Sequence, residues 1–266
     1  MKKRLTRFLP FLLAFTIALP SYSVFAEEEN QAKETQTNET NKTQADETTA
    51  NDTLSLAAET AVLIDAASGE ILYDKDADKK MYPASITKLM TILLALENGK
   101  LTDEITFSHD AVYNIEPGSA HIAILEGETL TLEQVLRAII LRSANEASNG
   151  VAEYVDGSVE AFAKHMTERA KELGCTNTNF VNANGLFDEN HYTTAHDMAL
   201  IARELLKHEE YRSMMSETDY EIPPTNLQTE TRYLHGQHQM LNPNSIYYYK
   251  DAIGGKTGYT VEAGNT

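Results

Sequence analysis

The chain is short of cysteine, of positive charge and of long apolar runs. Its one cysteine, Cys175, excludes an internal disulfide framework and any cysteine-rich metal site. Lys and Arg number 22 against 40 Asp and Glu, a net charge of −18, which disfavours nucleic acid as a partner. The apolar run "FLPFLLAFTIALP" has only 13 residues, against the ~20 that span a bilayer. No His-Glu-x-x-His sequence and no repeat period is present. The pairs His191/His196 and His235/His238 therefore carry no metal assignment, and no cofactor is implied.

What is present begins with a targeting segment. Lys2, Lys3, Arg4 and Arg7 precede the apolar run, and "SYSVFA" ends on small residues at Val24 and Ala26. Residues 1–26 read as a secretory signal cleaved after Ala26, with the domain working outside the cytoplasmic membrane. Residues 27–53 contain no Val, Ile, Leu, Phe or Tyr. Such a stretch cannot offset the entropy of ordering, so it reads as a disordered linker. Its Asn-x-Thr sequons at Asn38, Asn41 and Asn51 are ordinary in an Asn/Thr-rich segment.

Residues 54–266 hold the folded domain. "TAVLID" and "ILYDKD" read as two strands around the turn "ASGE". "ASITKLMTILLALEN" (84–98) is apolar on nearly every face and stops at Gly99, which predicts a buried helix. Thr131 and Gln134 form a capping-box pattern before "LEQVLRAIILR". Ser158 is placed to cap "VEAFAKHMTERAKEL", and Thr194 to cap "AHDMALIARELLKHEEY". "SIYYYKDAIGGKTGYT" reads as strand again. The order, hairpin then helices then strand, predicts an α+β fold whose terminal strands pair with each other. Asp197 reads as structural, Cys175 as a packed thiol, and Asn184-Gly185 as a turn.

Ser85 and Lys88 are three apart, on one helical face. A serine hydroxyl needs a base, and a lysine serves only if desolvation or a second cation lowers its pKa. The spacing alone is weak. Two further groups give it meaning. "RSANEAS" places Ser143 and Asn145 at a helix break, and "GGKTGY" places Lys256, Thr257 and Gly258 on a predicted strand.

Ser-x-x-Lys, Ser-x-Asn and Lys-Thr-Gly in that order make up the motif set of penicillin-binding proteins and class A β-lactamases. The segments around them, from about residue 58 to 266, resemble the low-molecular-weight D-alanyl-D-alanine carboxypeptidases throughout. The resemblance implies a β-lactamase/transpeptidase-like α+β fold, with an antiparallel sheet against a mostly helical subdomain. It also implies a substrate, peptidoglycan stem peptides ending in D-Ala-D-Ala, and β-lactams as covalent inhibitors. On this likeness Ser85 is the nucleophile, Lys88 its base and Ser143 the relay to the leaving amine. Asn145 orients Lys88 and binds the substrate amide. Lys256 supplies the second cation, and Thr257 binds the terminal carboxylate. Gly258 leaves the strand backbone open to substrate, and the amides of Ser85 and Tyr259 form the oxyanion hole.

Two departures stand out. The second motif reads Ser-Ala-Asn-Glu where many relatives have Ser-Gly-Asn-Asp, which keeps the acid at Glu146. The chain also stops eight residues past Gly258, whereas in the family two more strands and a helix follow. A second domain and an amphipathic membrane helix often come after them. The expectation is a domain incomplete at its C-terminus that folds poorly and lacks activity. Two other readings share the motifs. A class A β-lactamase would need a Glu-x-x-x-Asn elsewhere, and the nearest candidate, Glu146 to Asn149, overlaps the second motif itself. A non-catalytic penicillin-binding sensor would normally carry membrane spans, and none is read here.

Overall fold

Apolar residues gather on helices that enclose α1 (Lys88–Asn98), which is buried from Lys88 through Ala95. The structure, a computed structural model, describes residues 55–266; the signal and linker readings fall on residues outside these. Around α1 pack α3 (Leu132–Arg142), α4 (Asn145–Asp156), α5 (Val159–Glu172) and α6 (Ala195–Leu205). α2 (His109–Tyr113) lies against α4. Leu93, Leu136, Ile139, Phe162 and Ile201 meet in one continuous core. Burying side chains of that size stabilises by roughly 1.5–3 kcal/mol each.

Local chemistry sets the helix starts. The Thr131 hydroxyl accepts from Gln134 N at 3.3 Å, and the Gln134 side chain accepts from Thr131 N at 2.9 Å. Ser158 and Thr194 cap α5 and α6 through the amides of Ala161 and Asp197. The helix expected from Ala195 to Tyr211 divides instead into α6 and α7 (Glu209–Met214). An unbroken helix would turn Tyr211 well away from the face that carries Ile201 and Leu205. The break returns Tyr211 and Met214 to the core, and the Arg212 guanidinium donates to the freed Leu206 carbonyl at 2.7 Å.

Among the described residues the strands form four antiparallel pairs. They are β1 (Ala61–Ile64) with β2 (Ile71–Lys75), and β3 (Glu104–Thr106) with β4 (Thr129–Thr131). Then come β5 (Asp219–Ile222) with β6 (Arg232–His235), and β7 (Tyr259–Thr260) with β8 (Gly264–Asn265). The predicted pairing of the terminal strands is not observed among the described residues. A groove of about 610 Å³ is lined both by Ala57–Thr60, just before β1, and by Ala263, Asn265 and Thr266. The C-terminal hairpin is held by Thr266 instead, whose hydroxyl donates to the Pro83 carbonyl at 3.1 Å.

Most of "SIYYYKDAIGGKTGYT" is irregular chain with short turns rather than strand. Tyr248 N donates to Ser245 O and Ala252 N to Tyr249 O, so local turns take the amides that a ladder would have used. Lys256, Thr257 and Gly258 accordingly precede β7 rather than lie on it.

One buried ion pair ties β6 to the segment before β4. Glu128 is fully buried, and both its oxygens accept from Arg232, at 2.6 and 2.7 Å.

Candidate active site

Ser85 sits in a 3-10 turn, Ala84–Thr87, that leads directly into α1. Ala84 has φ +48°, a left-handed conformation that costs a non-glycine residue about 1–2 kcal/mol. Surrounding contacts must hold the bend. Gly185, at φ +86°, is one: a β-carbon there would lie 1.9 Å from the Ala84 carbonyl oxygen.

Lys88 opens α1 with no exposed surface. Its Nζ lies 3.0 Å from Ser85 Oγ, 2.7 Å from Asn145 Oδ1 and 2.5 Å from the Asn184 carbonyl oxygen. Burial lowers its pKa well below the ordinary lysine value, and the Lys256 charge lowers it further; Glu146 opposes both. A neutral amine has two N–H groups and one lone pair. Amide oxygens only accept, so Asn145 and Asn184 take the two N–H groups. In that neutral form the remaining lone pair would face Ser85 Oγ, in position to receive its proton.

The second motif is built on a helix junction. α3 ends at Ser143, which adopts φ 56°, ψ 31° and turns the chain so that α4 starts at Asn145. Ser143 Oγ is buried and has no hydrogen-bond partner, so its proton and lone pairs are uncommitted. Asn145 N donates to Ala120 O at 2.9 Å, which fixes the neighbouring 118–124 segment. Glu146 accepts from Ile122 N at 2.7 Å, and burial raises its carboxyl above the ordinary range.

The third motif faces the turn that carries Ser85. A β-carbon on Gly258 would lie 2.6 Å from Ser85 N and 3.1 Å from Ala84 Cβ, so only glycine allows this approach. Gly258 and Thr266 exchange both backbone hydrogen bonds at 2.9 Å. The next pair, Tyr259 and Asn265, is then a non-bonded one, which leaves Tyr259 N–H uncommitted to β8. Lys256 Nζ donates to Thr257 O at 2.5 Å, and burial brings its pKa down to about 8. Thr257 and Tyr259 are exposed.

The turn at Asn184-Gly185 contributes more than a change of direction. Asn184 supplies its carbonyl to Lys88, and its side-chain amide donates to Asn149 Oδ1 at 3.1 Å. Nothing in the residue types marked this, because a main-chain carbonyl has no sequence signature. His191, grouped above with His196, is buried and hydrogen-bonded to Thr87 rather than paired with its neighbour. Asp197 accepts from Asn177 N and Thr178 Oγ1, and Cys175 is packed, with burial pushing its thiol up to about 12. Both residues do the structural work read for them.

A buried lysine beside a serine on one helix start, flanked by Ser-x-Asn and Lys-Thr-Gly in an α+β frame, defines the active-serine DD-peptidase fold class. The family model described as D-alanyl-D-alanine carboxypeptidase matches residues 43–266, and the chain belongs to that family. It is 39% identical over 216 residues to the D-alanyl-D-alanine carboxypeptidase DacF of Bacillus subtilis, covering 79% of this chain and 53% of that one. It is 31% identical to DacA of Haemophilus influenzae, covering 99% of this chain and 61% of that one. The crystal structure of the Streptomyces K15 DD-transpeptidase matches with a TM-score of 0.73 and 25% identity, over 80% of this chain and 84% of that one. The chain thus spans between half and two thirds of the length of these curated relatives.

Proposed function

We propose that this domain is a serine-type carboxypeptidase that removes the terminal D-alanine from peptidoglycan stem peptides and is acylated by penicillin. The observation that carries the reading is the hydrogen-bond arithmetic at Lys88. Nζ lies 3.0 Å from Ser85 Oγ and also contacts two amide oxygens, so a neutral Lys88 that donates to both would turn its lone pair to the serine.

In the proposed reaction Ser85 Oγ attacks the carbonyl of the penultimate D-alanine while Lys88 takes the hydroxyl proton. The Ser85 and Tyr259 amides bind the oxyanion. Ser143, with its uncommitted hydroxyl, passes the proton to the departing amine of D-alanine. Lys256 and Thr257 receive the terminal carboxylate, and Asn145 holds both Lys88 and the substrate amide. Water then cleaves the ester and regenerates Ser85. The signal segment 1–26 and linker 27–53 would place the domain (54–266) on the outer side of the cytoplasmic membrane, where peptidoglycan lies. Among the described residues no helix is long and apolar enough to cross a membrane.

Mass spectrometry after incubation with penicillin and with a pentapeptide ending in D-Ala-D-Ala tests this. D-alanine release, with a slowly decaying penicilloyl adduct lost in Ser85→Ala, is expected. Fast penicillin turnover would mean a β-lactamase instead, and a permanent adduct without D-alanine release a sensor.

A further inference from the structure

We propose that His191 is a positioning residue for the nucleophile: through Thr87 it holds the strained Ala84–Ser85 bend in register with Lys88. The inference rests on the carboxypeptidase reading of this site.

His191 is 2% exposed and lies 104 residues from its partner in sequence. Val181 N–H donates to its Nδ1 at 3.1 Å. That bond makes Nδ1 the acceptor, so the ring proton sits on Nε2. Nε2–H donates to Thr87 Oγ1 at 2.8 Å. The Phe180 ring meets the imidazole edge-on, with centroids 5.5 Å apart, and fixes its plane. Burial holds the ring neutral, with a pKa of about 4, so this tautomer persists through neutral pH.

Thr87 has an unusual assignment. It stands at the N-cap of α1, where a threonine hydroxyl ordinarily accepts from its own helix. Here it makes no cap bond, and its backbone is helical, at φ −44°, ψ −38°. The hydroxyl is committed to His191 instead.

The same loop grips the turn at successive points. Gly185 presses on the Ala84 carbonyl, Asn184 O accepts a hydrogen bond from Lys88 Nζ, and Ala183 O accepts from Thr91 Oγ1 at 2.6 Å. Ser85 lies between the Gly185 contact at Ala84 and the His191 contact at Thr87. Ala84 is left-handed, so the bend relaxes if either side lets go. Relaxation would move Ser85 Oγ away from Lys88, and the Ser85 amide with it, while Lys256 and Thr257, which receive the substrate carboxylate, stay in place.

The test measures penicillin acylation in single turnover, separating noncovalent affinity from the acylation rate. His191→Phe keeps the ring but removes both hydrogen bonds, and the acylation rate should fall ten-fold or more while affinity stays within about two-fold. His191→Gln, which can accept from Val181 and donate to Thr87, should restore most of the rate. Thr87→Val should match His191→Phe, and the double variant should be no slower than either. Wild-type acylation in His191→Phe, or additive losses in the double variant, would overturn the proposal. Nitrogen NMR of the imidazole decides independently whether the clamp exists: an Nε2–H tautomer is expected, and an Nδ1–H tautomer overturns it. If the wild-type protein is not acylated at all, the carboxypeptidase reading fails, while the clamp is still judged by NMR.

Discussion

Gly258 lies over the backbone amide of Ser85, where a β-carbon on it would come within 2.6 Å of the nitrogen. The C-terminal hairpin and the Ser85 turn are therefore in direct contact although 173 positions separate Gly258 from Ser85 in sequence. Each element of the site is held by another that is remote along the chain.

Gly185→Ala should be severely disruptive. The new methyl group would meet the Ala84 carbonyl at 1.9 Å, and φ +86° is already unfavourable for alanine. Backbone has to move, so a loss of more than about 2 kcal/mol is expected, together with loss of acylation. Urea denaturation and fluorescent-penicillin labelling would show it. A variant as stable and as reactive as the wild type would contradict the packing described.

Lys256→Gln should shift the pH profile of acylation. Burial does most to keep Lys88 neutral, and the Lys256 charge adds to it. Without that charge the Lys88 pKa rises, so less of the free base exists at neutral pH. The acid limb of the acylation profile should move to higher pH, and the rate at pH 7 should fall by about 10²-fold. A lower rate with an unmoved limb would assign Lys256 to carboxylate binding alone.

Stability should fall in mild acid because of His191. Its pKa is depressed from 6.5 to about 4 by burial. Between those values the unfolded chain binds a proton that the folded protein refuses, so unfolding becomes easier as pH drops. The stabilisation is complete above about pH 6.5 and is lost as pH falls towards 4, on the order of 3 kcal/mol in all. Urea titrations at pH 7 and pH 4.5 should show this slope, and His191→Gln should remove it.

Arg232→Ala should strand a buried carboxylate. Burial by itself would raise the Glu128 carboxyl, but the Arg232 hydrogen bonds reverse that and hold it below its ordinary value. Removing the guanidinium leaves burial to dominate, at a cost of about 3–5 kcal/mol. Adding Glu128→Gln should recover part of the loss, since a neutral amide tolerates the site better. Thermal melts of the three variants would test the order.

Local signals in the sequence were reliable where neighbouring residues decide the outcome. Thr131, Ser158 and Thr194 cap helices because the amides they bind are three residues away. The hairpin around Gly69 forms because Asp65 collects the Ala67 and Ser68 amides within its own turn. Apolar density alone marked α1 as buried. The stretch from Ser245 to Thr260 misled because strand-prone residues make a strand only beside a partner. Tyr247, Tyr248 and Tyr249 remain exposed in turns.

The sequence by itself determined the helical core and the caps, and it singled out the groups proposed to act in the reaction, Ser85, Lys88, Ser143, Asn145 and Lys256. These depend on residue type and on spacing within a turn or two. Tertiary structure alone decided how Lys88 is kept ready and how Ser85 is held. The Asn184 carbonyl, the His191–Thr87 bond and the Gly185 contact join positions about a hundred residues apart. Two of them use main-chain atoms that every residue possesses, so only the folded geometry distinguishes them.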